Sequence, residues 1–288
     1  MSALFALATS LLWGLADFGG GLLTRRTPAL TVVVVSQTIA VAVLGAVVVA
    51  TGGWSEAGPQ LWFAAAAGVV GPAAMLCFYR ALALGPMGVV SPLGALGGVV
   101  VPLGVALVLG ERPGVLQIAG IVVAVAGVVL ASGPQTGDAP VQRQTLLLTL
   151  VAALGFGSVM ALIAEASSTL TGLFLALFVQ RVCNVVVGGA ALYAAVRRGN
   201  PALPEGGLGV VWASLPALAF VGLSDVAANG TYNLAAQHGP VAVAAVLASL
   251  YPVVTALAAR GLLNERLRAV QAGGAGLALV GTLLLATG

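Results

Sequence analysis

The sequence predicts an all-α integral membrane protein with ten transmembrane helices, arranged as two inverted five-helix repeats around a central cavity. Three observations support this prediction: the composition, the number of apolar segments and an internal repeat. Of the 288 residues, 60% are hydrophobic and 7% are charged, and the mean hydropathy is +1.12. Soluble domains carry roughly a quarter charged residues, so this chain lacks the charge to cover a water-facing surface and is expected to lie in lipid.

Ten apolar segments are each close to the length of about 20 residues that a helix needs to cross a bilayer. They cover residues 3–24, 30–51, 60–84, 87–109, 114–132, 146–166, 171–196, 209–237, 240–263 and 267–287. The polar linker 133–145 separates five segments from five. It divides the chain into two predicted units, a first half at 1–132 and a second half at 146–288.

The second half of the sequence repeats the first at a constant offset of 154 positions. Over residues 85–130, 16 of 46 aligned residues are identical without a gap. The polar and turn-forming matches are Gly85-Pro86 with Gly239-Pro240, Glu111-Arg112 with Glu265-Arg266, and Gln117 with Gln271. Because each half has an odd number of spans, the second half enters the membrane from the opposite side, which predicts an inverted repeat.

Short motifs recur in order along both halves of the chain. They are Leu12-Trp13-Gly14, Phe78-Tyr79-Arg80-Ala81-Leu82 before Gly85-Pro86, Leu109-Gly110-Glu111-Arg112, Tyr232, Tyr251-Pro252 and Asn264-Glu265-Arg266. These motifs resemble the EamA family of the drug/metabolite transporter superfamily. The resemblance covers nearly the whole chain and implies two five-helix repeats around a cavity, in a carrier of amino acids or other metabolites, often outward. The sequence has no lysine and is rich in Ala, Gly, Val and Leu, which is typical of a GC-rich bacterial source. Together with the ten apolar segments, this leads us to expect a multi-pass protein of a bacterial inner membrane.

Four ionisable residues lie within the predicted segments: Asp17, Arg80, Arg181 and Asp225. A charge at the centre of the bilayer costs about 2.5–3.5 kcal/mol, so each needs a partner, a wet cavity or a neutral state. Asp225 either lines a cavity or forms a structural ion pair with Arg181. Arg181 in turn either binds a substrate carboxylate or locks onto an acidic partner. Asp17 either serves the cavity or packs two helices together, and Arg80 is favoured as an interface anchor over a ligand.

Polar and aromatic residues near these charges complete the predicted site. Trp13 lies one turn before Asp17, so a ring and a carboxylate share a helix face and suit an ammonium group. Each aromatic residue has the alternative of ordinary packing or an interfacial position. The predicted substrate-binding residues are Trp13, Asp17, Gln37, Tyr79, Arg80, Arg181, Asn184, Asp225, Asn229, Tyr232, Asn233 and Tyr251.

Two deep carboxylates and one deep arginine leave one carboxylate without a basic partner. In a dry cavity such a group is expected to take up a proton, which it can accept on one side of the membrane and release on the other. Asp17 and Asp225 are therefore the candidate proton-coupling residues, and proton antiport is a hypothesis that follows from them.

The sequence thus predicts a secondary active transporter that exports small metabolites by alternating access. Amino acids and related zwitterions come first, because their ammonium group fits Asp17 or Asp225 and their carboxylate fits Arg181. The alternatives are efflux of lipophilic cations, which would use the acids and rings without Arg181, and metabolite uptake.

The sequence gives little support to other classes of protein. A single His and two separated Cys offer no ligand-spaced cluster, so neither an enzyme nor a cofactor or metal site is predicted. The net charge of +3 is too small and too scattered for nucleic acid. The expected partners are a small-molecule substrate and the lipid bilayer, and the choice between monomer and homodimer stays open.

Arginines mark one membrane face of the predicted topology. The face that holds the loop at Arg25 and Arg26 carries most of them, whereas the opposite face has essentially Arg112. The positive-inside rule places the arginine-rich face in the cytoplasm and both termini outside. The family resemblance implies termini inside, so the sequence leaves the orientation open.

Overall fold

The computed structural model of the protein describes residues 1–97, 101, 114–132, 142–167, 169–238, 247–248, 250–263 and 269–287. Within these ranges the regular structure is helical and contains no strand. The all-α prediction is confirmed for the part of the chain that the structure describes. The Glu111-Arg112 and Glu265-Arg266 pairs lie outside it.

The helices follow one another through short connections. In chain order they are α1 (Ser2–Thr24), α2 (Ala29–Thr51), α3 (Leu61–Leu84), α4 (Met87–Ala95), α5 (Val115–Ser132), α6 (Arg143–Ala166), α7 (Leu170–Arg197), α8 (Leu208–Ala213), α9 (Leu215–Gln237), α10 (Tyr251–Leu263) and α11 (Ala269–Thr287). One 3-10 turn, Gly53–Glu56, follows α2. The ends of α1, α2, α3 and α5 lie within one residue of the predicted segments.

Within the described residues, five helices are long and apolar enough to cross a membrane: α1, α2, α3, the Arg143–Ile163 part of α6, and α7. Two shorter apolar helices, Tyr251–Leu263 and Ala272–Gly281, lie in the second half. These helices support the prediction of a multi-pass membrane protein. The count of ten spans stays a prediction, because parts of the predicted segments 87–109 and 240–263 lie outside the described residues.

The single helix predicted for 209–237 is two helices in the structure. They meet at Ser214, whose N–H donates to the carbonyls of Val210 at 3.0 Å and Val211 at 3.1 Å and so closes α8. Pro216 follows in the first turn of α9. Proline has no N–H to continue the hydrogen bonds of α8, but its fixed backbone angle suits the start of a new helix.

Helices of the first half pack mainly against helices of the second half. α1 lies against α9, α3 against α6, α2 against α7, and α5 against α11. Ser2 Oγ, at the start of α1, donates to the carbonyl of Ala235, near the end of α9, at 2.8 Å, so these two helices are antiparallel. Thr145 at the start of α6 lies against Gly85 at the end of α3, which makes the second pair antiparallel as well.

A close approach at Gly14 positions α1 against α10. The missing side chain leaves room for Val254 and for the carbonyl of Tyr251. The carbonyl of Gly14 accepts a hydrogen bond from Thr255 Oγ1 at 3.0 Å. Small residues allow helices to approach this closely in lipid. Because Asp17 lies one turn further along α1, the same contact brings its carboxyl group towards α10.

The fourth segment of each half is interrupted at an equivalent position. Leu96 and Leu250 both lie in turns, one just after α4 and the other just before α10, and they are 154 positions apart, which is the repeat offset. Pro92 lies inside α4, and Pro252 follows the second turn. Proline leaves the carbonyl of the residue four positions earlier without its usual donor, so each segment contains a point where the helical hydrogen bonds are incomplete.

The close contact of α5 with α11 at Gly127 provides a test of the packing. A methyl group at Gly127 would collide with the backbone of Ala278 and of Gly274. We expect Gly127→Ala to lower the free energy of unfolding by about 1–3 kcal/mol, as overpacking does. Thermal unfolding in detergent measures the change. Gly276→Ala in α11 is the matched control, because its methyl group would have nothing within 4 Å. Equal melting temperatures of the two variants would contradict this packing.

Candidate functional site

A buried ion pair joins α7 to α9. Arg181 Nη2 lies 2.5 Å from Asp225 Oδ2, and the two side chains are 7% and 24% exposed. A lone charge at this depth would cost about 2.5–3.5 kcal/mol, and the pair neutralises both groups at once. The structure thus contains the ion pair that the sequence leaves as one of two alternatives for these residues.

Gln37 of α2 extends the ion pair into a network between the two halves. Its Oε1 accepts hydrogen bonds from Arg181 Nη1 at 2.8 Å and from Asn184 Nδ2 at 3.1 Å. Within the described residues, Gln180 Oε1, Arg181 Nε and Asn184 Oδ1 are buried without a hydrogen-bond partner. Buried polar atoms are normally paired, so these three are exceptions, and all lie within one helical turn of Arg181.

Asp17 has a different environment from Asp225. No basic group of the described chain lies at ion-pair distance from it. Its Oδ2 accepts a hydrogen bond from Ser91 Oγ of α4 at 3.5 Å, and Ser91 Oγ lies 3.4 Å from Thr255 Oγ1 of α10. Both hydroxyl groups are fully buried, whereas Asp17 is partly exposed. Asp225 is close enough to repel Asp17 electrostatically, so the two carboxyl groups share one region.

Three aromatic rings, here called the aromatic cluster, are grouped around Trp13, one helical turn before Asp17: those of Trp13, Tyr232 and Tyr251. The centroid of the Trp13 ring is 6.0 Å from that of Tyr232 and 6.0 Å from that of Tyr251, with planes inclined at 35° and 70°. All three residues are partly exposed. The electron-rich faces of such rings attract a cation, and Asp17, one turn from Trp13, supplies a carboxyl group next to them.

Tyr79 brings α3 to the same region. It is 4% exposed, and its ring fills the space that Gly20 of α1 leaves open. The ring is near enough to interact electrostatically with Asp17, Asp225 and Arg181. The structure therefore gathers the charged residues predicted on α1, α7 and α9 around one tyrosine.

Three predicted residues remain: Asn229, Asn233 and Arg80. Asn229 Nδ2 donates to the carbonyl of Asp225 at 2.7 Å and lies 3.5 Å from its carboxyl oxygen Oδ1, so it supports the acidic residue from within α9. Asn233 is partly buried one turn further along. Arg80 is exposed on α3, outside the group of residues that the structure brings together.

The sequence pattern does not mark Ser91 and Thr255 as site residues. A lone hydroxyl in an apolar helix gives little signal, because it commonly bonds to the carbonyl of the preceding turn. Thr255 Oγ1 makes such a bond to the carbonyl of Tyr251 at 3.2 Å. The available signal is a nearby proline, Pro92 next to Ser91 and Pro252 one turn before Thr255, because an interrupted helix in a membrane is often found where the chain lines a cavity.

The groups available for binding at the site are charged side chains, hydroxyl groups and aromatic rings. Across the described ranges, no three or more His, Cys, Asp or Glu side chains come together in a way that could hold a metal ion. Cys77 of α3 and Cys183 of α7 are free thiols.

Apolar helices that enclose an ion pair, a carboxyl group and three rings are typical of a membrane protein that receives a polar solute within the bilayer. The chain belongs to the EamA-like transporter family, whose model matches it over residues 1–133 and 143–287. The protein is therefore a multi-pass membrane transporter of the drug/metabolite transporter superfamily, and the family predicted from the motifs is confirmed.

A solved structure, described only as the crystal structure of a protein, has a similar fold. The two superpose with a TM-score of 0.62 and 20% sequence identity, over 98% of this chain and 95% of the other. At this identity the likeness shows the fold alone. A search of curated protein sequences finds no significant match.

The ion pair is expected to be important for stability. Asp225→Ala leaves Arg181 buried without a charged partner and should lower the free energy of unfolding by about 3 kcal/mol. A double variant, Arg181→Met with Asp225→Ala, should recover most of that loss, because no lone charge remains. Thermal unfolding in detergent compares the variants, with Glu205→Gln, in an exposed loop, as the control for loss of a carboxylate. A single variant as stable as the unaltered protein would show that the pair does not hold Arg181.

Proposed function

We propose that this transporter is a secondary active exporter of small ammonium-bearing metabolites, with amino acids and related zwitterions as the first class. One observation carries the proposal: Asp17, without a basic partner in the described chain, lies one helical turn from Trp13, whose ring packs against those of Tyr232 and Tyr251. The carboxylate attracts an ammonium group, and each ring adds about 0.5–2 kcal/mol of cation–π attraction. Asp17 and the rings are partly exposed, which suits a site that a solute enters and leaves.

A zwitterion also needs a donor for its carboxylate. Nη1 and Nη2 of Arg181 each have a partner, Gln37 and Asp225, whereas the Nε donor has none among the described residues. That donor supports zwitterions as substrates. The ion pair itself supports the second candidate, efflux of lipophilic cations, because Asp225 already neutralises Arg181 and a cation needs only Asp17 and the rings.

The packing of the helices supports alternating access between two halves, 1–132 and 146–288. The contact of α1 with α9 is matched by that of α6 with α3, and the contact of α1 with α10 by that of α6 with α4. The contact of α3 with α7 is matched by that of α9 with α2. Exchanging the halves therefore reproduces these contacts, as expected for an inverted repeat that rocks around a central site.

Coupling is proposed to occur by competition at Asp17. Of the two carboxyl groups predicted to take part, Asp225 is held by Arg181, whereas Asp17 has hydroxyl neighbours. A small cation bound at Asp17, a proton included, neutralises the charge that attracts the ammonium group. The cation must leave Asp17 before the substrate binds there. This competition couples transport of the cation to transport of the substrate.

Counterflow in proteoliposomes tests the proposed substrate class. The panel contains amino acids, the matching amines that lack the carboxylate, and N-acetyl derivatives that lack the ammonium group. We expect exchange of the compounds that keep an ammonium group and none of the N-acetyl compounds. A requirement for the carboxylate would favour zwitterions, and exchange of the amines alone would favour lipophilic cations. Exchange of the N-acetyl derivatives, or of no ammonium compound, would overturn the proposal.

Variants of the site residues test the proposed roles of those residues in the same counterflow assay. Asp17→Asn should abolish the exchange, and Trp13→Ala should weaken the apparent affinity by roughly 3- to 30-fold, the equivalent of one cation–π contact. The matched controls are Glu205→Gln and Trp62→Ala, since both residues are exposed. Normal exchange by Asp17→Asn would exclude this carboxylate as the ammonium site.

The proposed location is a bacterial inner membrane, with the arginine-rich face in the cytoplasm. Thr31 Oγ1 donates to the carbonyl of Ala202, so the loop after α7 lies beside the start of α2. Arg26 and Arg198 therefore share one membrane face. The positive-inside rule supports a cytoplasmic position for this face, and both termini then lie outside.

Labelling in whole cells tests this orientation. Glu205→Cys, in the loop after α7, is introduced into a variant in which Cys77 and Cys183 are replaced by serine. A membrane-impermeant maleimide should label the new thiol only after the cells are permeabilised. Labelling of intact cells would place the arginine-rich face outside.

A further inference from the structure

We infer that Asp17, Ser91 and Thr255 form a binding site for sodium, and that sodium is the ion exchanged for the ammonium substrate. The role in coupling rests on the proposed transport function, whereas the binding of the ion does not. The site lies where α1, α4 and α10 meet, so it contains helices from both halves of the chain.

Oxygen atoms from the three helices come together at this point. Asp17 Oδ2 lies 3.5 Å from Ser91 Oγ, which lies 3.4 Å from Thr255 Oγ1. Thr255 Oγ1 is in turn 3.0 Å from the carbonyl oxygen of Gly14 and 3.2 Å from that of Tyr251. One carboxylate, two hydroxyl groups and two backbone carbonyls form a set of hard oxygen donors, which suits a hard cation.

The spacing of these oxygens differs from that of a well-formed hydrogen-bond chain. Hydroxyl hydrogen bonds usually measure about 2.5–3.0 Å between the oxygens, and both contacts of Ser91 Oγ are longer. Oxygen ligands about 2.4 Å from a cation stand roughly 3.4 Å apart at neighbouring corners of an octahedron. The contacts of Ser91 have this length, which is the spacing of neighbouring oxygen ligands on a cation.

The charge of the site selects a monovalent ion. Asp17 contributes one negative charge, and no basic residue of the described chain lies at ion-pair distance from it. Calcium sites commonly use several carboxylates, and magnesium retains several waters and phosphate oxygens. Ser91 and Thr255 are fully buried and add ligands without charge. A single positive charge therefore balances the site.

The interrupted helices provide an independent second observation. Pro92 directly follows Ser91, and Pro252 lies one turn before Thr255. The turns at Leu96 and Leu250 interrupt both segments at equivalent positions of the repeat. In membrane carriers, sites for sodium or protons are commonly built where helices are interrupted near the bilayer centre. Both hydroxyl ligands of the proposed site thus belong to a broken helix.

Binding of sodium is measured first on the purified full-length protein in detergent. Sodium chloride replaces potassium chloride at constant ionic strength and constant pH, while thermal unfolding is recorded. We expect a saturable rise in melting temperature with sodium, because a ligand that binds only the folded state stabilises it. Absence of a sodium-specific rise would overturn the inference.

Matched variants locate the ion. Ser91→Ala and Thr255→Ala should weaken the apparent sodium affinity by about tenfold or more, whereas Thr255→Ser keeps the hydroxyl group and should retain it. Ser158→Ala is the control, because Ser158 Oγ bonds to the carbonyl of Leu154 within its own helix. Unfolding in potassium chloride alone shows that each variant is folded. Equal sodium affinity in Ser91→Ala and Ser158→Ala would overturn the site.

Ion gradients in proteoliposomes separate this inference from the proposed function. Ammonium substrates should accumulate inside proteoliposomes when sodium is higher inside than outside, because sodium leaves in exchange for the substrate. A pH gradient alone should drive less transport. Exchange driven by pH alone, with no sodium-dependent stabilisation, would refute the sodium site and leave the carrier in place. Sodium binding at Ser91 and Thr255 without exchange of any ammonium compound would refute the proposed carrier while the ion site stands.

Discussion

The cost of placing charge in lipid governs the arrangement of this protein. Arg181 cannot be buried among apolar helices by itself, and Asp225 and Gln37 surround it with opposite charge and hydrogen-bond acceptors. These three residues come from three helices and from both halves of the chain. The network therefore fixes α2, α7 and α9 relative to one another, and the rest of the site is built on that frame.

Asp17 gains its distinct character from the same network. Because Arg181 is engaged by Asp225, the second acidic residue is left with the hydroxyl group of Ser91 as its neighbour and with a repelling charge nearby. Glycine makes this position possible, since Gly14 lets α1 approach α10 more closely than a larger residue would. One acidic residue is thus committed to structure, and the other is available to a cation.

Much of the fold follows from the sequence because lipid offers no water to backbone groups, so long apolar segments must be helical. The boundaries of α1, α2 and α3 were predictable for that reason. The break at Ser214 was not, because hydropathy continues across it and only the following Pro216 marks a new helix. Trp13 and Asp17 were predictable as neighbours, since four residues make one helical turn. The proximity of Ser91 to Asp17 was not, because they lie on different helices.

The sequence by itself determined the class of protein, the family, the apolar helices and the small set of charged residues within them. Hydropathy, the internal repeat and short motifs are sufficient for these, because each is a local or periodic property of the chain. Only the tertiary structure decided that Arg181 pairs with Asp225 and that Asp17 lies against the hydroxyl group of Ser91. Those choices depend on how each helix is rotated and how closely it crosses its neighbours. Contacts between small residues far apart in the sequence set both quantities, and no periodicity along one helix encodes them.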